Sequence, residues 1–165
     1  GGGLSMTCLG IGEADQFGNI NVSKFGPRLT GPGGFIDITG ATPKVVFCGT
    51  FMGKAALTVG DGKLVIEKEG TIRKFLENVE QVTFSGKYAR PWQTILYVTE
   101  RCVFRLINGR MTITEIAPGL DLQRDILDKM DFVPDVAEDL MLMDPGIFCE
   151  TWGGLSKYIE DPSSV

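Results

Sequence analysis

The chain contains no histidine. That absence removes the imidazole base from Ser-His and Cys-His nucleophile pairs, and it removes the ligand on which most catalytic zinc sites depend. Its cysteines are Cys8, Cys48, Cys102 and Cys149, and no two of them stand in a C-x-x-C spacing. A zinc ribbon or dithiol redox motif is therefore missing. Thiols set in apolar runs such as Val45-Val46-Phe47-Cys48 are expected to be buried and free. Cations are in the minority, 16 Lys and Arg against 21 Asp and Glu, for a formal net charge of -5. Nucleic acid, which needs a basic footprint, is not an expected partner. No apolar run is long enough to cross a bilayer and no secretory h-region opens the chain, so no membrane partner is expected either. The expected location is the cytoplasm, or an organelle matrix such as that of mitochondria. Asn21-Val22-Ser23 fits a glycosylation sequon that such a location leaves unused.

What is present suits one domain with a real core: 165 residues, 43% of them hydrophobic, and 22 glycines scattered as turn punctuation. Leu4 to Glu13 reads as a strand, Asp15 to Asn19 as a turn, and Ile20-Asn21-Val22 as a half-buried strand. Ser23 to Arg28 has loop chemistry, and Phe35 to Thr39 is expected to be a short helix. Lys44 to Gly49 is a near-continuous apolar run, the pattern of a parallel strand buried on both faces. Ala55–Val59 and Lys63–Lys68 form a hairpin about Gly60-Asp61-Gly62. Residues 79–84 lean towards strand, and Ser85–Gln93 is a polar loop. Three strands follow, Thr94–Thr99, Cys102–Ile107 and Met111–Ile116, with Asn108-Gly109 as the hairpin turn of the last two. Asp121–Met130 is the clearest helix, capped by Asp121, with Leu122, Ile126, Leu127 and Met130 on one face. Leu140–Met143 reads as a short apolar strap, and the tail from Thr151 as mobile.

The stretch Gly31-Pro32-Gly33-Gly34-Phe35 organises the functional reading. Glycine lets backbone approach a ligand closely and tolerates positive φ. If a helix begins at Phe35, the unpaired N–H groups there suit an anion or a developing oxyanion. A plain tight turn between core elements is the competing reading.

Several collinear motifs extend this picture: Gly2-Gly3-Leu4, Phe17-Gly18-Asn19-Ile20-Asn21-Val22-Ser23-Lys24-Phe25-Gly26-Pro27, Gly31 to Asp37, Val45 to Phe51, Thr99 to Phe104, and Glu115 to Leu127. Together they closely resemble the C-terminal part of family I coenzyme A transferases, in the propionate/acetate branch. The resemblance runs from Gly1 to Phe148 and leaves 149–165 as a tail. It implies an α/β fold: a mixed sheet with a parallel buried centre flanked by helices, plus antiparallel hairpins. It also implies ping-pong exchange of CoA between a short-chain acyl-CoA and a carboxylic acid, through a glutamyl-CoA thioester. CoA is then a substrate, with no permanently bound cofactor and no metal.

In the family, the nucleophilic glutamate lies upstream of the segment matching Gly1. Glu13, Glu67, Glu100 and Glu115 do not occupy its position, so the chain alone is expected to be inactive. Its implied partners are the N-terminal half of the same enzyme or a partner subunit, and a homo-oligomer is expected. The resemblance assigns Gly34 as the oxyanion amide and Gly31 and Gly33 as the residues shaping the CoA-side loop. Lys24 and Arg28 are candidate cations for CoA phosphates or the substrate carboxylate. Thr99-Glu100-Arg101 is expected to brace two strands through an internal ion pair. An acyl-CoA hydrolase on the same scaffold and a non-catalytic CoA-binding module are the alternatives.

Overall fold

The computed structural model describes residues 3–152 together with 154, 156 and 159. Its frame is a six-stranded sheet in the order Met6–Gly10, Lys44–Cys48, Thr94–Val98, Cys102–Ile107, Arg110–Ile116 and Asp135–Leu142. The first three strands are parallel, the next two pairings antiparallel, and the last parallel again. This is the mixed α/β arrangement expected, with an antiparallel hairpin, Ala56–Gly60 and Lys63–Lys68, appended. Asn108 and Gly109 have φ of 51° and 73°, as the two-residue hairpin turn between Cys102–Ile107 and Arg110–Ile116 requires.

Strand alternation and register decide which face is the core. Val45 lies opposite Thr7 and Ile95, and Phe47 opposite Leu9 and Tyr97. Val45, Phe47, Ile95 and Tyr97 are all buried. Phe47 packs against Phe35, Phe84 and Tyr97, with centroids 5.6, 5.0 and 5.3 Å away. The helix α1, Phe35–Ala41, and the short α2, Leu122–Asp125, lend Phe35 and the following Ile126 to the same core.

The opposite face departs from expectation. Lys44–Cys48 is buried on one side only, because Lys44 and Cys48 are exposed and Val46 is half-buried beside Cys8 and Leu96. The same fact corrects the reading of the thiols. Cys8 and Cys48 sit on this uncovered face, Cys149 is half-buried, and only Cys102 is buried. The apolar run reads as two-sided burial, whereas alternation within the sheet exposes every second residue.

Four further elements differ. Ser23–Arg28 is not loop throughout: Lys24–Phe25 pairs with Arg28–Leu29 about Gly26-Pro27. Residues 79–84 form no strand beyond a single bridge from Phe84 to Ile20; the short strands lie earlier, at Ile72–Arg73 and Phe75–Leu76. The helix from Asp121 is broken at Ile126, where φ is -125° and ψ -68°, and resumes as a 3₁₀ turn over Leu127–Lys129. The strap at Leu140–Met143 is mostly the end of the edge strand Asp135–Leu142. Most of the tail from Thr151 lies outside the described residues.

Candidate functional site

The glycine-rich loop is held from below by a buried polar knot. Asn21, fully buried, donates through Nδ2 to Glu13 Oε2 at 2.8 Å and to the Lys24 carbonyl at 2.6 Å. Its Oδ1 accepts from the Ser23 and Lys24 amides at 3.1 and 3.2 Å. The Ser23 hydroxyl is hydrogen-bonded to that of Thr83, and Thr83 Oγ1 also accepts from the Val22 amide at 3.1 Å. With its donors and acceptors so engaged, this turn presents the Ser23 carbonyl to the incoming loop, where it accepts from the amides of Thr30 at 2.9 Å and Gly31 at 3.2 Å. The sequence places Asn21 in a half-buried strand and in a sequon, and neither reading names the knot. Two polar residues flanking an apolar one inside a strand–turn were the signal for a buried knot.

From this anchor the chain crosses Gly31 and Gly33, whose φ values of 76° and 53° suit glycine. It reaches Gly34, the N-cap of α1, with φ -83° and ψ 5° and no side-chain cap bond. The Phe35 amide turns back to the Pro32 carbonyl at 3.1 Å. Among the described residues the amides of Gly33 and Gly34 have no hydrogen-bond partner and both glycines are exposed. Space above Gly34 is open: a Cβ built there meets only Ile38 Cδ1, at 3.6 Å. The loop is therefore more than a turn closed on itself; it leaves two donors unpaired at the head of a helix.

The other candidates fall elsewhere. Lys24 Nζ lies 2.9 Å from Glu80 Oε1, and Glu80 Oε2 accepts from the Gly26 amide at 2.7 Å. Those two contacts, the Gly26 amide foremost, hold the Glu80 carboxyl below the usual carboxylate range. Lys24 is thus engaged within its own hairpin, while Arg28 is exposed on the adjacent strand. Glu13, Glu67 and Glu100 act as hydrogen-bond acceptors for Asn21, Thr58 and the Phe51 amide.

Arg101 is buried outright and, instead of bracing two strands, ties the turn before Cys102–Ile107 to the segment at Glu69 and to α2. Its Nη1 and Nη2 grip Glu69 at 3.0 and 2.6 Å, and Nη1 also donates to the Asp125 carbonyl at 2.9 Å. Its guanidinium lies 5.2 Å from the Phe51 ring centroid. Glu100, the expected partner, is 3.6 Å from Nε, an electrostatic contact without a hydrogen bond. Glu69 was not singled out in the sequence, since nothing local ties position 69 to position 101. The grip of Arg101 holds the Glu69 carboxyl below its ordinary range.

A second polar connection ties α1 to the loop Ser85–Gln93. Gln93 Nε2 donates to the carbonyls of Thr39 and Thr42 at 2.7 and 2.8 Å, and Gln93 Oε1 accepts from the Arg90 amide at 2.9 Å. These bonds satisfy carbonyls that the end of α1 leaves open.

Comparison with known proteins finds close relatives of the chain. No protein-family model matches the chain. It is 62% identical over 161 residues to a caffeate CoA-transferase of Acetobacterium woodii, covering 94% of this chain and 31% of that protein. It is 46% identical over 152 residues to the acetate CoA-transferase YdiF of Escherichia coli O157:H7, covering 91% of this chain and 29% of the relative. The crystal structure of YdiF as a thioester complex with CoA superposes with a TM-score of 0.87 at 44% identity, over 90% of this chain and 30% of that one. The chain spans a little under a third of the length of these relatives.

Proposed function

This chain is homologous to one portion of the family I CoA-transferases, and from that premise we propose that the complete protein transfers CoA between a short-chain acyl-CoA and a carboxylic acid. The observation that carries the reading is the pair of unpartnered amides at Gly33 and Gly34. A carboxylate attacking a thioester turns the carbonyl oxygen into an oxyanion, and the Gly34 amide is our assigned donor to it. Gly31 and Gly33 shape the backbone so that the thioester can approach. Lys24 we leave to its pair with Glu80. The attacking glutamate is supplied by chain outside these residues, from an N-terminal half or partner subunit. A glutamyl-CoA thioester then divides one difficult exchange into two easier displacements.

Gly34→Val in the complete protein tests the assignment. Its φ of -83° and the open space at its Cβ let the chain fold with the larger residue. The valine branches obstruct approach to the amide. Loss of one oxyanion donor costs on the order of 100-fold or more in turnover. Normal steady-state turnover in a folded Gly34→Val protein overturns the reading. Passage of radiolabel from a free acid into acyl-CoA, rather than net loss of thioester, distinguishes transfer from hydrolysis.

A further inference from the structure

We propose that Lys74 is a site of Nε-acylation, taking its acyl group directly from an acyl-CoA. The proposal rests on the CoA reading above and goes beyond it, because an amine has no part in exchange between carboxylates.

Position is the first support. Lys74 stands between the short strands Ile72–Arg73 and Phe75–Leu76. Its carbonyl accepts from the Ala14 amide at 2.8 Å, and the adjoining Phe75 stacks on Phe51 with centroids 4.9 Å apart. The backbone beneath the side chain is therefore fixed. Lys74 Nζ lies beside Gly49, which also abuts Ile11, just where the parallel strands Lys44–Cys48 and Met6–Gly10 end. α1 belongs to the crossover between those two strands, so Gly34 at its head faces the same carboxyl end of the sheet. The amine and the glycine-loop amides thus share the end at which an open α/β sheet receives its ligands.

Space is the second support. A Cβ added to Gly49 would come within 3.1 Å of Lys74 Nζ and 3.2 Å of Ile11 Cβ. Gly49 has no positive φ to explain it. Its missing side chain instead leaves the room that the head of the lysine occupies.

The third is electrostatic. Among the described residues Lys74 forms no ion pair, whereas Lys24 is closed on Glu80 and Arg73 on Asp131. Glu100 is the carboxylate that faces it, from beyond ion-pair distance. That carboxylate has other ties: its Oε2 accepts from the Phe51 amide at 2.9 Å, and its Oε1 lies 3.6 Å from Arg101 Nε. Burial lowers the Lys74 amine from the ordinary lysine range, and Glu100 opposes that only in part. The side chain is half-buried, so the amine is desolvated yet still within reach of a reagent.

The step balances without a further co-reactant. The uncharged Nζ attacks the thioester carbonyl, an N–C bond forms, the C–S bond breaks, and CoA departs as its thiolate. The proton shed by the nitrogen neutralises that thiolate. The product is an amide without charge, and Glu100 loses the cation facing it.

Acetyl-CoA and p-nitrophenyl acetate are the probes, the second an acyl donor that lacks CoA. Peptide mass spectrometry of the complete protein reads the acetyl adduct at Lys74 against Lys68 and Lys87, which are exposed. Acetyl-CoA should label Lys74 about threefold or more faster than either near neutral pH. That advantage should shrink as pH rises and every amine loses its proton. Labelling by acetyl-CoA no faster than at the exposed lysines, or an advantage that persists at alkaline pH, overturns the proposal. Preferential labelling by p-nitrophenyl acetate alone also overturns it, since the amine is then reactive but not served by acyl-CoA. Transfer is scored separately, by passage of radiolabel from a free acid into acyl-CoA. Lys74 labelled by acetyl-CoA without transfer keeps the acylation site and overturns the transferase reading; transfer without that labelling does the reverse.

Discussion

Arg101 has no accessible surface, and its guanidinium is shared among Glu69, the Asp125 carbonyl and the Phe51 ring. Lys87 and Arg90 stand exposed, without ion pairs among the described residues, on a loop whose backbone is nonetheless tied down. Cations of similar chemistry thus serve opposite ends in one fold. Around Arg101, the donors that reach a partner are spent inside the molecule, so the region can hold strands, α2 and the Glu69 segment together but has little to offer a ligand. On the Ser85–Gln93 loop the Gly86 and Arg90 amides and the Gln93 side chain are engaged while Lys87 and Arg90 form no ion pair among the described residues, which leaves charge available without loosening the frame. The glycine loop repeats the second pattern in backbone form: Asn21 and Ser23 are saturated below, while the Gly33 and Gly34 amides are open above.

The largest expected effect strikes the closed region. Arg101→Leu leaves Glu69 and Glu100 without their cation and should cost about 3–5 kcal/mol, read as a fall in urea midpoint. Against it, Lys87→Ala/Arg90→Ala should shift stability by no more than about 0.5 kcal/mol. A comparable loss in both would erase the distinction drawn here. The floor of the exposed loop should behave like the core. A Cβ at Gly86 would run into the Phe17 carbonyl oxygen. Gly86→Ala should therefore destabilise by about 1–3 kcal/mol in thermal melts, despite its position between exposed neighbours.

A smaller effect is expected beside Arg101. Asp121 accepts from the Arg124 amide at 2.8 Å as the cap of α2, and Asp121→Ala should cost about 1 kcal/mol by urea titration. The smallest effect is the acid response of Glu69, whose side chain is 32% exposed. Its folded pKa is lowered, so its stabilising contribution is complete above the unfolded carboxylate value of about 4.3. That contribution disappears as pH falls through the lower folded value. Glu69→Gln should flatten the acid limb of stability against pH; an unchanged limb would show that Glu69 is not the group responsible.

Local chemistry was legible in the sequence. Asn108-Gly109, the start of α1 after Gly34, and the strand at Lys44–Cys48 each follow from a few adjacent residues, although the two-sided burial read from that apolar run does not hold. So does the Asp121 cap. What sequence could not supply was pairing at a distance. The edge strand Asp135–Leu142 has no alternation because most of it is exposed, and it exists through its ladder with Arg110–Ile116. The Glu69–Arg101 pair spans 32 positions, and the Asn21 knot depends on Thr83, which lies 60 positions beyond Ser23. The break at Ile126 interrupts a good helical pattern where the Asp125 carbonyl turns to Arg101. At the candidate site, the glycines could be named from sequence, while the freedom of their amides needed coordinates.

Gln93 carries one more implication. A single primary amide clasps two carbonyls near the end of α1 and fixes the Arg90 amide on the other side. It behaves as a rivet joining two plates. The loop and α1 are thereby fastened to each other directly, without the sheet between them.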